Sequence, residues 1–294
     1  MRILVGVDSE GLFKASLDLL CRLKFSNAHY TLAHAVDPVV PLAAFGYAME
    51  PGVDLNYSQV VAQAGEEVLE AALNDACARD LQANSVLLYG KPASTLIEYG
   101  EDEKFDLVVV QSERKGAFGS LFFGSTSRGL AIGSKQSLLV SKGNVAPIGN
   151  LSVVFATDHS EFANQALDRF IGMKPEGVKK VHVVSAAWID DYESFMMRYD
   201  LEKLGGSVDI WLEQQLADRN AGVVERLTAA GFDADARVVT GKPSEAIDQT
   251  MHHTGSDLLI MGAQGHGFFR RLLIGSVSLH QVVSEPYPVM VIRN

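Results

Sequence analysis

The sequence predicts an α/β protein made of two tandem doubly wound domains, each with a five-stranded parallel sheet. Two observations predict this class. The chain of 294 residues repeats its own landmarks, and each half alternates short apolar runs with segments of helical periodicity. Strands that alternate with helices are joined by right-handed crossovers, which make the strands parallel and place helices on both faces of the sheet. The length suits about two domains, each able to bury a core.

Four landmarks recur in the same order at a nearly constant offset. The offset is 150 for the first landmark and 151 for the other three: Ile3–Asp8 with Val153–Asp158, Gly90–Pro92 with Gly241–Pro243, Asp106–Val110 with Asp257–Met261, and Gly124-Ser125 with Gly275-Ser276. Glycine, asparagine and proline between residues 142 and 150 predict a linker there. The expected domains are therefore 1–144 and 150–294. Since the linker is short, we expect the halves to pack against each other.

Ten runs are apolar on successive residues, a pattern typical of strands that are covered on both faces. The predicted strands are Arg2–Val7, His29–Val36, Ser85–Tyr89, Leu107–Gln111, Ser137–Ser141, Leu151–Thr157, Lys180–Ala186, Ala234–Thr240, Leu258–Met261 and Val289–Arg293. Apolar residues at spacings of three and four predict helices around residues 69–77 and 163–170. The segments 36–57 and 188–211 are long for loops. We interpret the first as a functional or mobile cover of a crevice, and the second as core, domain interface, lid or partner surface.

Charge and cysteine content exclude several classes of protein. The net charge of −11 divides into −5 for residues 1–146 and −6 for the remainder, so neither half is expected to bind nucleic acid or an anionic membrane through bulk charge. Two cysteines at distant positions favour a reduced compartment. The start of the chain lacks a secretory apolar region, and no apolar stretch approaches the ~20 residues of a membrane span. We therefore expect a cytoplasmic protein. The histidines show no metal-ligand spacing.

The second half carries a glycine-rich pattern after its fourth strand. Gly262, Gly265 and Gly267 let the backbone approach a ligand without an intervening Cβ atom. The segment Gly275–Ser278 opens the last helix and offers free amides, hydroxyls and the positive end of a helix dipole. His266, Arg270 and Arg271 could add positive charge. A lone pair of spaced glycines is more often a turn, but the repeat and the position beyond a parallel strand favour a phosphate site. The pattern is neither a P-loop nor a dinucleotide fingerprint.

These residues resemble the universal stress protein family. The resemblance rests on Gly262-x2-Gly265-x9-Gly275-Ser276, on Asp158 after the first strand, and on the closing strand Pro288–Ile292, and it covers nearly the whole chain as a tandem of two domains. It implies a Rossmann-like fold of the adenine-nucleotide alpha-hydrolase type that binds ATP, with Mg²⁺ as a further candidate. Members pair through their last strands, so a tandem chain would form an internal pseudo-dimer, with a homodimer also open.

The resemblance also implies roles for individual residues of the second half. Asp158 would contact the ribose with Thr157 beside it, and Ala186 would meet the adenine through its backbone. The phosphates would be held by Gly262, Gly265, Gly275 and Ser276, with Val277 and Ser278 next to them. An alternative function of Asp8 and Asp158 is to cap the helices that follow them.

The first half departs from the motif. Gln111 stands opposite Gly262 and Arg114 opposite Gly265, whereas Gly116, Gly124 and Ser125 keep their type. Either this half has lost nucleotide binding and is structural or regulatory, or Arg114 and Lys115 bind a different anion.

Three functions remain open at this point. The leading hypothesis is a stress-response or regulatory protein that binds ATP in its second half. The second is a weak ATPase or phosphotransferase with Asp158 as base or Mg²⁺ ligand and Arg270 or Arg271 as charge stabiliser, although the chain has no Walker lysine. The third is a scaffold that binds a small anionic or lipid-like ligand in the first half.

Overall fold

The structure, a computed structural model, describes residues 1–37, 57–112, 124–143, 148–189, 207–264 and 274–293. The ten predicted strands are confirmed, and most of their ends agree within two residues. The strands are β1 (Arg2–Gly6), β2 (His29–Val36), β3 (Ala83–Tyr89), β4 (Leu107–Ser112), β5 (Ser137–Lys142), β6 (Leu151–Ala156), β7 (Val178–Ala187), β8 (Asp233–Thr240), β9 (Leu258–Gly262) and β10 (Val289–Ile292).

Helices separate the strands, as the alternating pattern predicts. They are α1 (Lys14–Leu23), α2 (Tyr57–Cys77), α3 (Pro92–Asp102), α4 (Ser125–Gly133), α5 (Glu161–Met173), α6 (Val208–Ala229), α7 (Pro243–Thr254) and α8 (Ser276–Ser284). The repeated Gly-Lys-Pro landmark explains where α3 and α7 begin. Gly90 and Gly241 adopt φ of 136° and 132°, which favours glycine, and the proline two residues later occupies the first turn of the helix. No helix in the described ranges is long and apolar enough to cross a membrane.

All ten strands form one sheet, in the order β3-β2-β1-β4-β5-β10-β9-β6-β7-β8. The pairs within each half are parallel, and the two halves have the same internal order. This order confirms the doubly wound α/β class. In each half the direction of winding changes between the first and fourth strands. The carboxyl edge at that switch point is the place where doubly wound sheets bind ligands.

The halves are joined by their last strands. β5 pairs with β10 in antiparallel fashion, and the central pair is Leu139 with Met290, which are counterparts at the 151-residue offset. Both side chains are fully buried. A second contact between counterparts is the isolated bridge from Phe25 to Pro175, at the 150-residue offset. Because counterparts meet each other at both places, the joint has the self-complementary character of a two-fold interface.

A basic residue from each half donates hydrogen bonds to the C-terminus of the last helix of the other half. Lys142 donates hydrogen bonds from Nζ to the carbonyl oxygens of Gln281 (3.1 Å) and Glu285 (2.7 Å), at the end of α8. Its counterpart Arg293 donates to the carbonyl oxygens of Ala131, Ser134 and Gln136, at the end of α4. These cations satisfy orphan carbonyls and complement the negative end of each helix dipole.

The linker side of the joint is held by Arg22 and Gly177. The Arg22 guanidinium donates to the carbonyl oxygens of Gly149 and Asn150 and pairs with Asp257 at 3.0 Å. The Gly177 amide donates to the Leu23 carbonyl oxygen at 3.1 Å. The backbones approach so closely that a Cβ atom on Gly177 would lie 1.6 Å from the Arg22 carbonyl oxygen. Only glycine fits at this position.

Burial along the strands differs from the sequence prediction at the two sheet edges. The central strands are covered on both faces: Ile3 and Val5 belong to one apolar cluster and Leu4 to the other, and both clusters contain residues of both halves. The outer strands β3 and β8 are instead half-exposed along most of their length. The prediction of full coverage is wrong for these strands because each has a neighbour on one side only.

The predictions for the long segments 36–57 and 188–211 stay predictions, because residues 38–56 and 190–206 lie outside the described residues. At the ends of the second segment, Trp188 and Trp211 are both about half exposed, and α6 begins at Val208.

Candidate functional site

The switch point of the second half lies between β6 and β9. These strands pair in parallel with Ala156 opposite Met261, so the residues that follow them share one edge of the sheet. Thr157 and Asp158 follow β6, and Gly262 ends β9. Ala186 is near the end of β7, the neighbour of β6, and is half-buried. The predicted site residues that are described therefore gather at one carboxyl edge.

The end of β9 and the start of α8 are tied together. The Ser278 hydroxyl donates to the Gly262 carbonyl oxygen at 2.9 Å, and the Gly275 amide donates to the Ala263 carbonyl oxygen at 2.7 Å. Ser278 is buried, so its hydroxyl has a structural role here and its amide is the group left for a ligand. The tie fixes the first turn of α8 against the switch point.

The first turn of α8 presents unpaired amides at the crevice edge. Gly275 is the N-cap residue and its carbonyl oxygen accepts the Leu279 amide at 2.9 Å, which is the first hydrogen bond of the helix. The amides of Ser276, Val277 and Ser278 therefore have no partner within the helix. Such amides, together with the positive end of the helix dipole, bind phosphate oxygens.

Asp158 lies in a tight turn after β6. Its Oδ1 atom accepts the Ser160 amide at 3.0 Å, while Thr157 Oγ1 accepts the His159 amide at 3.0 Å. His159 has φ of 60°, a left-handed conformation. Ser160, and not Asp158, is the N-cap of α5, because its hydroxyl accepts the Ala163 amide. The carboxylate of Asp158 is exposed at the crevice edge.

The buried hydroxyl of Ser185 contacts the residues of this turn. The Ser185 hydroxyl lies 3.1 Å from the Thr157 carbonyl oxygen, 2.8 Å from the Asn220 amide oxygen and 3.0 Å from His159 Nε2. In the first half His34, the counterpart of Ser185, donates from Nδ1 to the Val7 carbonyl oxygen at 2.7 Å. Sequence reasoning missed both residues. The signal available was a polar side chain at the same repeat position near the carboxyl end of the second strand in each half.

Gly262 lies against α5. A Cβ atom there would lie 3.4 Å from the Gln264 carbonyl oxygen, 3.5 Å from the Ala166 Cβ atom and 3.7 Å from the Ala163 Cα atom, which are ordinary van der Waals distances. The role of Gly262 in the approach of a ligand stays a prediction. Gly265, His266, Gly267, Arg270 and Arg271 lie outside the described residues, and their predicted roles stay predictions.

In the first half, Gln111 takes over a capping role. Its Oε1 atom accepts the amide of Ala15, in the first turn of α1, at 3.0 Å. The N-cap residue of α1 is Phe13, which has no side-chain acceptor, whereas α5 has Ser160. Gln111, which replaces the motif glycine, therefore supplies the hydrogen-bond acceptor that the N-terminus of α1 lacks.

We predict that Gln111→Gly, which restores the motif residue, lowers the free energy of unfolding by about 1 kcal/mol, the usual contribution of an N-terminal cap. Urea denaturation followed by circular dichroism measures the change. The matched change Gln82→Gly, at an exposed position, should cost less. Equal losses in the two variants would contradict the capping role.

A cavity of about 340 Å³ lies at the switch point of the first half. Its wall includes the Asp8 turn, Gln111, Ser112 and the first turn of α4, from Ser125 to Ser127. Ser112 and Ser127 are more than nine-tenths buried, and their hydroxyls have no hydrogen-bond partner in the described part of the chain. The first half thus keeps a crevice with unused polar groups.

Fold and site together define a tandem doubly wound α/β protein with a helix N-terminus at the switch point of its second half. The universal stress protein family matches the chain twice, over residues 1–142 and 150–293, and the chain belongs to this family. A universal stress protein of Mycolicibacterium smegmatis is 28% identical over 99% of this chain and 96% of its own length. Another, from Methanocaldococcus jannaschii, is 26% identical over 48% of this chain and 93% of its own length.

A solved structure has the same overall fold. The crystal structure of a universal stress protein from Archaeoglobus fulgidus superimposes with a TM-score of 0.68 at 20% identity, covering all of this chain and 96% of that chain. A putative universal stress protein from Pseudomonas aeruginosa gives a TM-score of 0.58 at 15% identity, over 99% of this chain and 92% of that chain.

Proposed function

We propose that the second half binds an adenine nucleotide, ATP above all, and that the protein acts as a nucleotide-dependent stress-response regulator. The observation that carries this proposal is the first turn of α8, whose three unpaired amides are fixed beside the switch point by the Ser278 and Gly275 hydrogen bonds. The chain belongs to the universal stress protein family, and the resemblance of the Gly262–Ser276 pattern to that family implies the same ligand. In a chain with a net charge of −11, backbone amides supply positive potential that the side chains as a whole do not.

Each group at the edge then has a role. The amides of Ser276, Val277 and Ser278 and the Ser276 hydroxyl hold phosphate oxygens. The Asp158 carboxylate accepts hydrogen bonds from the ribose hydroxyls, and Ala186 meets the base through its backbone. The motif predicts that Gly265, which lies outside the described residues, also contacts the phosphates, and Mg²⁺ would arrive with the nucleotide.

We further propose that residues 1–144 and 150–294 are the two domains and that they form an internal pseudo-dimer. The antiparallel pairing of β5 with β10 supports this arrangement. The two cysteines are free thiols, which supports a reducing compartment such as the cytoplasm.

The proposal is tested with Ser276→Pro. Ser276 is the first residue of α8, where proline fits, and Gly275 has φ of −78° and ψ of 162°, which suits a residue before proline. The change removes one phosphate-binding amide and one hydroxyl without breaking the helix. We expect ATP affinity to fall at least about tenfold, since charge-assisted hydrogen bonds of this kind contribute about 1.5–3 kcal/mol. Isothermal titration calorimetry measures the affinity and the stoichiometry.

The repeat offers a matched control. Ser125→Pro makes the same change at the first residue of α4, where Gly124 is also extended, with φ of −54° and ψ of 131°. This variant should bind ATP like the parent protein. If Ser125→Pro weakens binding and Ser276→Pro does not, the nucleotide site is in the first half. No uptake of ATP at millimolar concentration would overturn the proposal altogether.

The 340 Å³ cavity favours a second candidate function, a ligand site in the first half. Its volume is at the lower end of the range for small-molecule pockets, and the Ser112 and Ser127 hydroxyls in its wall can serve as hydrogen-bond partners of a ligand. The stoichiometry separates the possibilities. One nucleotide per chain fits a first half that serves a different small ligand, whereas two nucleotides per chain, of which Ser125→Pro removes one, would show that both halves bind ATP.

A further inference from the structure

A larger cavity, of about 680 Å³, lies away from both crevices, where the two halves meet. We call it the junction cavity. It is bounded by the last turn of α1, the start of β2, the turn after α2, residues 148–150 of the linker, and Gly177 of the second half. Because it is near the amino ends of β2 and β3, it is separate from the carboxyl edge that holds the first-half crevice.

The repeat offers an explanation for this space in the first half. Leu20 and Leu81 line the junction cavity. Their counterparts in the second half are Phe170 and Phe232, whose rings stack with centroids 5.4 Å apart. Two leucines in place of two phenylalanines leave the first half with unfilled volume beside α1. Unfilled volume costs stability unless something occupies it.

Two mostly buried residues bring hydrogen-bond donors to the same space. Tyr30 is 7% exposed, and its hydroxyl has no hydrogen-bond partner in the described part of the chain. Burial raises the pKa of Tyr30 to about 12, so the hydroxyl stays protonated and remains a donor. Arg22 is equally buried. Its Nε and Nη2 atoms are used by the linker and Asp257, and Nη1 has no acceptor among the described residues.

Two further cations line the cavity. Arg79 is held by Asp18 through Nε and by Asp75 through Nη1, which leaves Nη2 without an acceptor in the described ranges. Lys24 is exposed and forms no ion pair with any described residue. Asp80 is the only carboxylate among the described residues that line the cavity. Three cationic side chains therefore line the cavity against one carboxylate, and apolar surface from Leu20, Phe25 and Leu81 lies beside them.

We propose that the junction cavity binds a small amphipathic anion, an organic molecule with a compact apolar body and one carboxylate, sulfonate or phosphate group. The apolar body packs against the leucines that replace the phenylalanine pair. The anionic group accepts hydrogen bonds from Tyr30 and from the free guanidinium nitrogens. Because both halves line the cavity, such a ligand stabilises their junction and links its concentration to the stability of the tandem arrangement.

The test uses 8-anilinonaphthalene-1-sulfonate, an aromatic sulfonate, as the probe on the full chain. Cys21 lines the junction cavity, whereas Cys77 is exposed on the surface, so the two free thiols report on different places. Burial raises the pKa of the Cys21 thiol, so alkylation by N-ethylmaleimide is followed at mildly alkaline pH, with both sites measured by peptide mass. At ten times the Kd of the probe we expect alkylation of Cys21 to slow about tenfold, since the free fraction falls as 1/(1 + [L]/Kd). Cys77 should react at its original rate.

Two tyrosine variants show which group binds the probe. Tyr30→Phe keeps the shape and removes the hydroxyl, so the affinity for the probe should fall about tenfold, as for one hydrogen bond to a charged acceptor. Tyr89→Phe, at a tyrosine that is 61% exposed on β3, should leave the affinity unchanged. Leu81→Phe, which introduces the residue of the second half, should fill the space and reduce binding as well.

Protection of Cys21 that is weakened in Tyr30→Phe and kept in Tyr89→Phe supports the proposal. Alkylation of Cys21 that is insensitive to saturating probe overturns it, and so does equal affinity of the parent and Tyr30→Phe. Neither readout depends on ATP, so a failure here is distinct from a failure of the nucleotide site.

Discussion

Gly177→Ala is expected to destabilise the protein by about 3 kcal/mol or more, at the upper end of the cost of overpacking a well-packed site. The added Cβ atom would lie 1.6 Å from the Arg22 carbonyl oxygen and 2.8 Å from the Arg22 carbonyl carbon. Both are backbone atoms, so no side chain can rotate away to make room. The backbones must separate, which breaks the hydrogen bond from the Gly177 amide to the Leu23 carbonyl oxygen. Chemical denaturation of the full chain measures the loss.

The control for this variant is Gly222→Ala, in the middle of α6. Nothing lies within 4 Å of a Cβ atom at that position, and alanine favours a helix over glycine by about 0.5–1 kcal/mol. Gly222→Ala should therefore be neutral or slightly stabilising. If Gly177→Ala were also neutral, this result would contradict the close contact between Gly177 and the end of α1.

Arg293→Met should lower the free energy of unfolding by about 2–3 kcal/mol. The carbonyl oxygens of Ala131, Ser134 and Gln136 lose their donor, and α4 loses the cation at its negative end. Arg293 is 5% exposed and has no carboxylate partner among the described residues. The hydrogen bonds to these carbonyl oxygens therefore offset most of the cost of removing its charge from water. Desolvation lowers the pKa of Arg293 to about 10, which still leaves it charged at neutral pH.

The control removes an arginine that has no such role. Arg219, on the exposed side of α6, forms no ion pair with any described residue, and Arg219→Met should stay within about 0.5 kcal/mol of the parent. Urea denaturation followed by circular dichroism compares the two variants. A loss in Arg293→Met no greater than in Arg219→Met would show that the contact across the halves contributes little.

The strands could be predicted from the sequence because each is a short apolar run at a repeated position. Leu107–Ser112 and Leu258–Gly262 illustrate this, since duplicated landmarks fix both. The exposure of β3 and β8 could not be predicted, because it depends on which strands lie at the edges of the joined sheet. Local periodicity carries no information on that order.

For the candidate site, the sequence was informative about position and less so about contacts. The motif places Gly262 and Gly275 at the same edge, as the structure shows for these residues. The neighbour of Gly262 could not be read from the motif, because Ala166 is almost one hundred residues away. Gln111 is a similar case, since its partner Ala15 is 96 residues earlier in the chain. Pairings over such separations depend on tertiary packing, which a single sequence does not encode in a short pattern.

The antiparallel pairing of β5 with β10 has a geometric consequence. Since the strands of the two halves run in opposite directions, the carboxyl edges point opposite ways and the two crevices open on opposite rims of one continuous sheet. A molecule bound in one crevice therefore does not occlude the other crevice. The helices α4 and α8 contact each other, and each begins at its own crevice and ends at a cation from the opposite half. The two crevices are therefore connected through the contact of α4 with α8 at the joint of the halves.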